Sequence, residues 1–122
     1  MKSTKYKVHS ASTLSGYRVR NEKNEDLGTI EELMIDAVSG RVAYGVLCFG
    51  GFLGKCDKLF AIPWSLFKLK AEDRVFVLDV ERETLENAPG FDADEWPDFG
   101  DEGWNRAIHS YYGHQPSWAL AS

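Results

Sequence analysis

The sequence predicts a mainly β fold, a small barrel of about six strands followed by a C-terminal helical extension. Short runs rich in β-branched and aromatic residues recur between turn residues. One run ends at Pro63, which cannot donate a ladder hydrogen bond and is followed by Trp64. After Val80, helix signals replace strand signals. We therefore divide the chain into a flexible N-terminus (1–11), a barrel (12–80) and an extension (81–122).

The first two predicted strands lie on either side of a polar turn at residues 21–26. Residues 17–20 alternate polar and apolar side chains, as a half-buried strand does. Residues 27–36 form the second strand, with Gly28 at a bulge or bend where a Cβ atom would be crowded. The middle of this strand, 30–35, also has helical propensity. We predict a strand because only about ten residues separate its two turn signals.

The remaining barrel strands are separated by clear turn signals. Residues 36–40 predict a hairpin turn in which Gly40 takes the position that needs a positive φ. The strongest strand signal follows at 41–49, a run of β-branched and aromatic residues. Further strands are predicted at 59–62, 67–70 and 74–78.

The extension contains a predicted helix near 101–112. Asp101 is suited to the N-cap position and Gly113 to the C-terminal end of such a helix. Four apolar residues share one face at positions i, i+4, i+7 and i+8, namely Trp104, Ile108, Tyr111 and Tyr112. We expect this face to be buried against the barrel, because burial of each such side chain contributes about 1.5–3 kcal/mol.

Composition restricts the class of protein. The chain has 122 residues, the size of one domain, and 19 acidic against 14 basic residues, for a net charge of −5. This balance argues against general nucleic-acid binding, which needs lysine and arginine to displace phosphate counterions. No apolar run approaches the length of a membrane span, and no secretory signal is recognisable. We interpret Cys48 and Cys56 as reduced thiols and predict a cytoplasmic location.

Patterns that could carry chemistry each lack a required residue. The glycine-rich segment 50–55 does not have the P-loop spacing. The acidic residues from Asp92 onward do not form a calcium loop, because Trp96 and Pro97 occupy the places of a ligand and a glycine. The three histidines have no metal-ligand spacing. We therefore predict no catalytic residue, no metal site and no cofactor, and a protein that is not an enzyme.

Three apolar residues are candidates for contact with a partner. Phe52 and Leu53 lie between glycines in a loop, where strand alternation does not require apolar side chains. They could fold back to close the end of the barrel or contact a partner protein. Trp64, next to Pro63, presents the same two alternatives of packing and binding.

Four segments in this order resemble the PRC-barrel family: Leu-Gly-Thr-Ile at 27–30, Asp-Ala-Val-Ser-Gly at 36–40, the strand at 42–49, and Ala-Ile-Pro-Trp at 61–64. The chain is similar to stand-alone bacterial members of that family. The resemblance implies a barrel that acts as a non-catalytic docking module for another protein. Because strand edges must be paired or covered, and because the 50–54 loop offers apolar atoms, we also expect a symmetric homodimer.

A second hypothesis from the sequence is a small-ligand sensor that uses a pocket at the barrel end, near Phe52 and Trp64. A co-purifying protein at fixed stoichiometry would favour docking, and a bound small molecule would favour sensing.

Overall fold

A computed structural model describes residues 8–50, 56 and 58–113. The prediction of a mainly β fold with a C-terminal helix is confirmed, and a two-residue seventh strand joins the six expected. The helices are α1 (Ala11–Leu14), α2 (Arg82–Glu86) and α3 (Glu102–Tyr112). The strands are β1 (Arg18–Arg20), β2 (Asp26–Ile35), β3 (Val42–Phe49), β4 (Lys58–Pro63), β5 (Phe67–Lys70), β6 (Val75–Leu78) and β7 (Phe91–Asp92). The proposed domain boundaries at residues 12 and 81 stay predictions.

The strands form one curled sheet in the order β5-β6-β1-β2-β3-β4-β7. Of the strand pairs in the described residues, only β1 and β6 run parallel. Strands β4 and β5 lie near opposite ends of this order, yet a three-residue 3-10 turn, Trp64–Leu66, joins them. Such a turn spans only about 6 Å, so the sheet must curl round to bring the end of β4 to the start of β5. Within the described ranges β5 and β7 do not pair with each other, so the ring of hydrogen bonds stays open.

Two glycines fix the path of β2 and its hairpin, as predicted. Gly28 has φ +134°, and a Cβ atom there would lie 2.0 Å from the carbonyl oxygen of Cys48 on β3. This contact explains why only glycine fits where β2 passes so close to β3. Gly40 has φ +80° and donates its amide to the Asp36 carbonyl oxygen at 2.7 Å, which closes the β2–β3 turn.

The two faces of the β3–β4 pair are both buried. The inner face contributes to the main core, whose buried members are Leu14, Val19, Leu27, Ile30, Leu33, Leu47, Phe60, Ile62, Leu66, Phe67, Phe76, Leu78 and Leu85. On the outer face, Tyr44 and Ala61 pack against Ile108 of α3. Burial on both faces accounts for the nearly continuous apolar run of β3, since a half-exposed strand would alternate instead.

Helix α3 begins and ends as predicted. The carboxylate of Asp101 accepts a hydrogen bond from the Trp104 amide at 2.7 Å, and Gly113 ends the helix with φ +75°. Ile108 is 3% exposed, which confirms its expected burial. Tyr111 is 38% exposed, so the expectation that it is buried was wrong. Its hydroxyl instead donates to the Thr84 carbonyl oxygen at 2.6 Å.

The buried face of α3 is rotated because two polar residues, Asn105 and His109, share it with Ile108. The Tyr44 hydroxyl donates to Asn105 Oδ1 and lies 3.2 Å from His109 Nδ1. Asn105 Nδ2 in turn donates to the carbonyl oxygens of Phe99 at 2.8 Å and Asp101 at 2.7 Å. A helix advances about 100° per residue, so a face centred between positions 105 and 108 leaves Tyr111 at its edge.

The two cysteines form a disulfide, so the interpretation as reduced thiols was wrong. Cys48 and Cys56 are joined with their Cα atoms 5.8 Å apart, within the usual range for a disulfide. The bond closes the loop between β3 and β4 over a sequence separation of 8. Spacing in the sequence did not reveal the bond, because the β3–β4 hairpin is what brings the two residues together.

We predict that Ile108→Ala lowers the free energy of unfolding by about 2–5 kcal/mol, because it opens a cavity between α3 and the sheet. Urea denaturation followed by tryptophan fluorescence measures this loss. The control is Ser110→Ala on the exposed side of the same helix, with an expected change within about 0.5 kcal/mol. Equal midpoints for the two variants would show that α3 is not packed on the sheet.

Reduction of the disulfide should also destabilise the fold. Closing a loop of eight residues contributes about 2.5 kcal/mol through the entropy of the unfolded chain. We expect dithiothreitol to lower the urea midpoint of the native chain accordingly. Cys56→Ser should have the lower urea midpoint without dithiothreitol, and dithiothreitol should not change it. A change in the midpoint of that variant would contradict the assignment of the disulfide.

Candidate docking surface

An apolar cleft of about 660 Å³ lies between the β2–β3 hairpin and the segment that leads into α3. We call it the hairpin cleft. Its lining residues are Met34, Ile35, Asp36, Ala37, Val38, Ala43, Tyr44, Phe99, Gly100, Glu102 and Asn105. Carbon atoms dominate this lining, and its carboxylates, Asp36 and Glu102, come from opposite sides of the cleft. Its size is within the range of ordinary binding pockets.

The tip of the hairpin carries exposed apolar side chains beside this cleft. Val38 is 98% exposed and Ile35 is 52% exposed. A single exposed apolar residue is common on protein surfaces, but two beside an apolar cleft indicate a contact surface.

The turn that presents these side chains is held by Asp36. Its carboxylate accepts hydrogen bonds from the Ser39 hydroxyl at 2.9 Å and the Val38 amide at 3.0 Å. The hydrogen bond from the Ser39 hydroxyl is the larger cause of a pKa of Asp36 below its ordinary value, and the bond from the Val38 amide adds to this effect. The carboxylate is therefore ionised at neutral pH, and its hydrogen bonds define the geometry of the turn.

The floor of the hairpin cleft is rigid. The ring of Tyr44 contacts Phe99 and Trp104 edge to face, with centroids 5.9 and 5.4 Å away. The Tyr44 hydroxyl is bonded to Asn105, and burial raises the pKa of this hydroxyl far above its ordinary value. A neutral, hydrogen-bonded tyrosine is suited to form a packing surface, and it is not poised for proton transfer at neutral pH.

One wall of the cleft belongs to a strongly acidic stretch. Residues 83–105 contain no lysine, arginine or histidine. Their carboxylates are Glu83, Glu86, Asp92, Asp94, Glu95, Asp98, Asp101 and Glu102. We call 92–102 the acidic segment. Its Trp96 is 40% exposed and is held in place by ring contacts with Phe91 at 5.1 Å and Phe99 at 6.1 Å.

Of the partner-binding residues predicted from the sequence, the structure describes only Trp64. Phe52 and Leu53 fall outside the described residues, so their role stays a prediction. Trp64 is half-buried and packs on Phe67 and Phe76, with ring centroids 5.1 and 5.3 Å away. Trp64 does not line the hairpin cleft, and its partner-binding role also stays a prediction.

The surface has two smaller clefts. One of about 340 Å³ is lined by Tyr111, Tyr112 and both members of the Lys23–Glu81 ion pair of 2.9 Å. Another of about 230 Å³ lies between Arg18 and Arg82. Among the described residues, no group of three or more histidine, cysteine, aspartate or glutamate side chains could hold a metal ion. None of the helices in these ranges is long and apolar enough to cross a membrane.

Comparison with known families agrees with this architecture. A family model of the PRC-barrel domain matches residues 7–85, more than half of the chain. The match includes strands β1 to β6 and ends before β7 and α3. No curated protein matched the sequence. With the barrel strands matched from end to end, the chain belongs to the PRC-barrel domain family.

Proposed function

We propose that this protein is a non-catalytic docking module that binds a partner protein in the hairpin cleft. PRC-barrel domains are protein-interaction domains and are generally non-catalytic. The observation that supports the proposal is the position of Val38 and Ile35, two exposed apolar side chains beside an apolar cleft with a rigid floor. An apolar anchor from a partner would bury both and displace water from the cleft.

The polar groups of the cleft favour docking over catalysis. The Tyr44 hydroxyl and the Asn105 amide satisfy one another, and the Asp36 carboxylate is engaged in the turn. A nucleophile or general base would need a partner that activates it. These groups instead stabilise the shape of the cleft, which is what a surface for recognition requires.

We also propose self-association, in line with the symmetric dimer expected from the sequence. Phe52 and Leu53, flanked by glycines, supply the apolar contact in this proposal. The end strands are less suited to edge pairing, because β7 has two residues and β5 carries the exposed Lys68 and Lys70. The bacterial, cytoplasmic setting expected from the sequence stays a prediction. The disulfide is more typical of oxidising compartments.

Light scattering at high micromolar concentration tests self-association. We expect about twice the 13.8 kDa mass of one chain. A variant that combines Phe52→Asp and Leu53→Asp should be monomeric, because each chain would bring two carboxylates to the two-fold interface. Val38→Ser should remain dimeric and serves as the matched control. A monomeric native chain at every concentration would refute the dimer.

Photo-crosslinking tests docking at the hairpin cleft. A photoreactive phenylalanine analogue replaces Val38 in one variant and the exposed Glu22, on the β1–β2 turn, in the other. After irradiation in extracts of the source cell, we expect one discrete protein adduct at position 38. The variant at position 22 should give none, because its side chain lies away from the cleft.

The adduct at position 38 should weaken when Ala43→Glu is added, since that carboxylate would fill the apolar cleft. Equal labelling at positions 38 and 22, or an adduct that Ala43→Glu leaves unchanged, would contradict docking at this site.

A further inference from the structure

We propose that the partner of the hairpin cleft is a lysine- and arginine-rich protein segment with one apolar anchor. The anchor enters the hairpin cleft, and the basic side chains lie along the acidic segment 92–102. This inference rests on the proposed docking function and adds the chemistry of the partner.

The acidic segment carries several exposed carboxylates. Asp92, Asp94, Glu95 and Asp98 are exposed, and none of them forms an ion pair within the described part of the chain. Among the described residues, Glu102 is the one carboxylate of this segment with a basic partner, Arg106, at 2.5 Å. Like charges brought close together repel, and a polycation would relieve that repulsion.

Trp96 is an exposed aromatic residue among these carboxylates. Its indole N–H donates to the Ala93 carbonyl oxygen at 2.8 Å, and Phe91 supports the ring from one side. Trp96 is 40% exposed, so part of the residue is accessible to a cation. An arginine or lysine placed on that ring gains a cation–π contact in addition to the charge attraction.

The cleft and the acidic segment form one continuous surface. Phe99 and Gly100 belong to the segment and also line the cleft. Glu102 lies at the end of the segment on the same lining, and Asp36 faces it from the hairpin. A bound chain that placed an apolar side chain beside Val38 would therefore have carboxylates on both sides of it.

Other occupants fit this surface less well. A second copy of the chain carries the same net charge of −5 and the same acidic segment, so electrostatic repulsion would oppose its docking here. Nucleic acid and anionic lipid would place phosphates against carboxylates. A basic peptide segment removes the charge repulsion and also fills the apolar cleft.

Fluorescence anisotropy with three labelled peptides and the full chain tests the inference. The first probe has a central leucine flanked on both sides by lysines and arginines. The second replaces every basic residue by glutamate, and the third replaces the leucine by serine. We expect the first probe to bind at least tenfold more tightly than either of the others, about 1.4 kcal/mol or more, and to weaken as salt is added.

Matched variants locate the binding surface. The pair Asp94→Asn and Glu95→Gln removes two charges from the acidic segment and should weaken binding of the first probe several-fold. The pair Glu22→Gln and Glu31→Gln removes two exposed charges elsewhere and should have little effect. If the two pairs weaken binding of the first probe equally, general charge attraction explains the binding. That result would overturn the inference.

The remaining outcomes separate this inference from the docking proposal. If the glutamate probe binds as well as the basic probe, the partner is not basic, and docking still stands on the crosslink at position 38. If Val38→Ser leaves the basic probe unaffected while the Asp94/Glu95 pair weakens it, the cleft is not the site of the anchor. That result overturns the inference and also counts against docking in the cleft.

Discussion

The hydroxyl of Tyr44 sits on the outer face of β3, where burial without a hydrogen-bond partner would cost about 1–3 kcal/mol. Asn105 and His109 of α3 meet that requirement, and Asn105 also binds the backbone of the loop before the helix. The burial of Tyr44 in the sheet therefore depends on α3, and the hydrogen bonds to Tyr44 in turn define the position of α3. Ile108 adds apolar burial beside this network, so packing and hydrogen bonding select the same orientation of the helix.

The hairpin cleft lies where the outer face of the sheet extends past α3. Helix α3 begins at Glu102, and none of the described helices covers the tip of the β2–β3 hairpin, where Val38 is 98% exposed. Gly28 and Gly40 shape the two ends of β2, and Asp36 holds the turn that places Val38 in solvent. The apolar surface at the tip is thus a consequence of a long hairpin beside a short helix. Its rigidity comes from the same Tyr44 network that stabilises the fold.

Features set by local sequence were predictable, and those set by pairing across the fold were not. Gly40, Asp101 and Gly113 act within their own turns, where residue type alone decides the backbone. The extended run of β3 was equally clear. The buried roles of Asn105 and His109 were missed because polar residues on a helix are exposed unless another element supplies partners. The hairpin cleft combines β2, β3 and the acidic segment, so no local pattern marks it.

The acidic segment lies outside the region that the family model matches, whereas the hairpin tip lies inside it. In our proposal the barrel supplies the apolar anchor site, and the extension supplies the charges that choose the partner. This division has a physical basis, because burial of an apolar anchor contributes affinity with little discrimination. Unpaired carboxylates discriminate strongly, since they accelerate the approach of a basic chain and repel an acidic one. Because Tyr44 and Asn105 hold the barrel and the extension together, the two contributions act on a single bound segment.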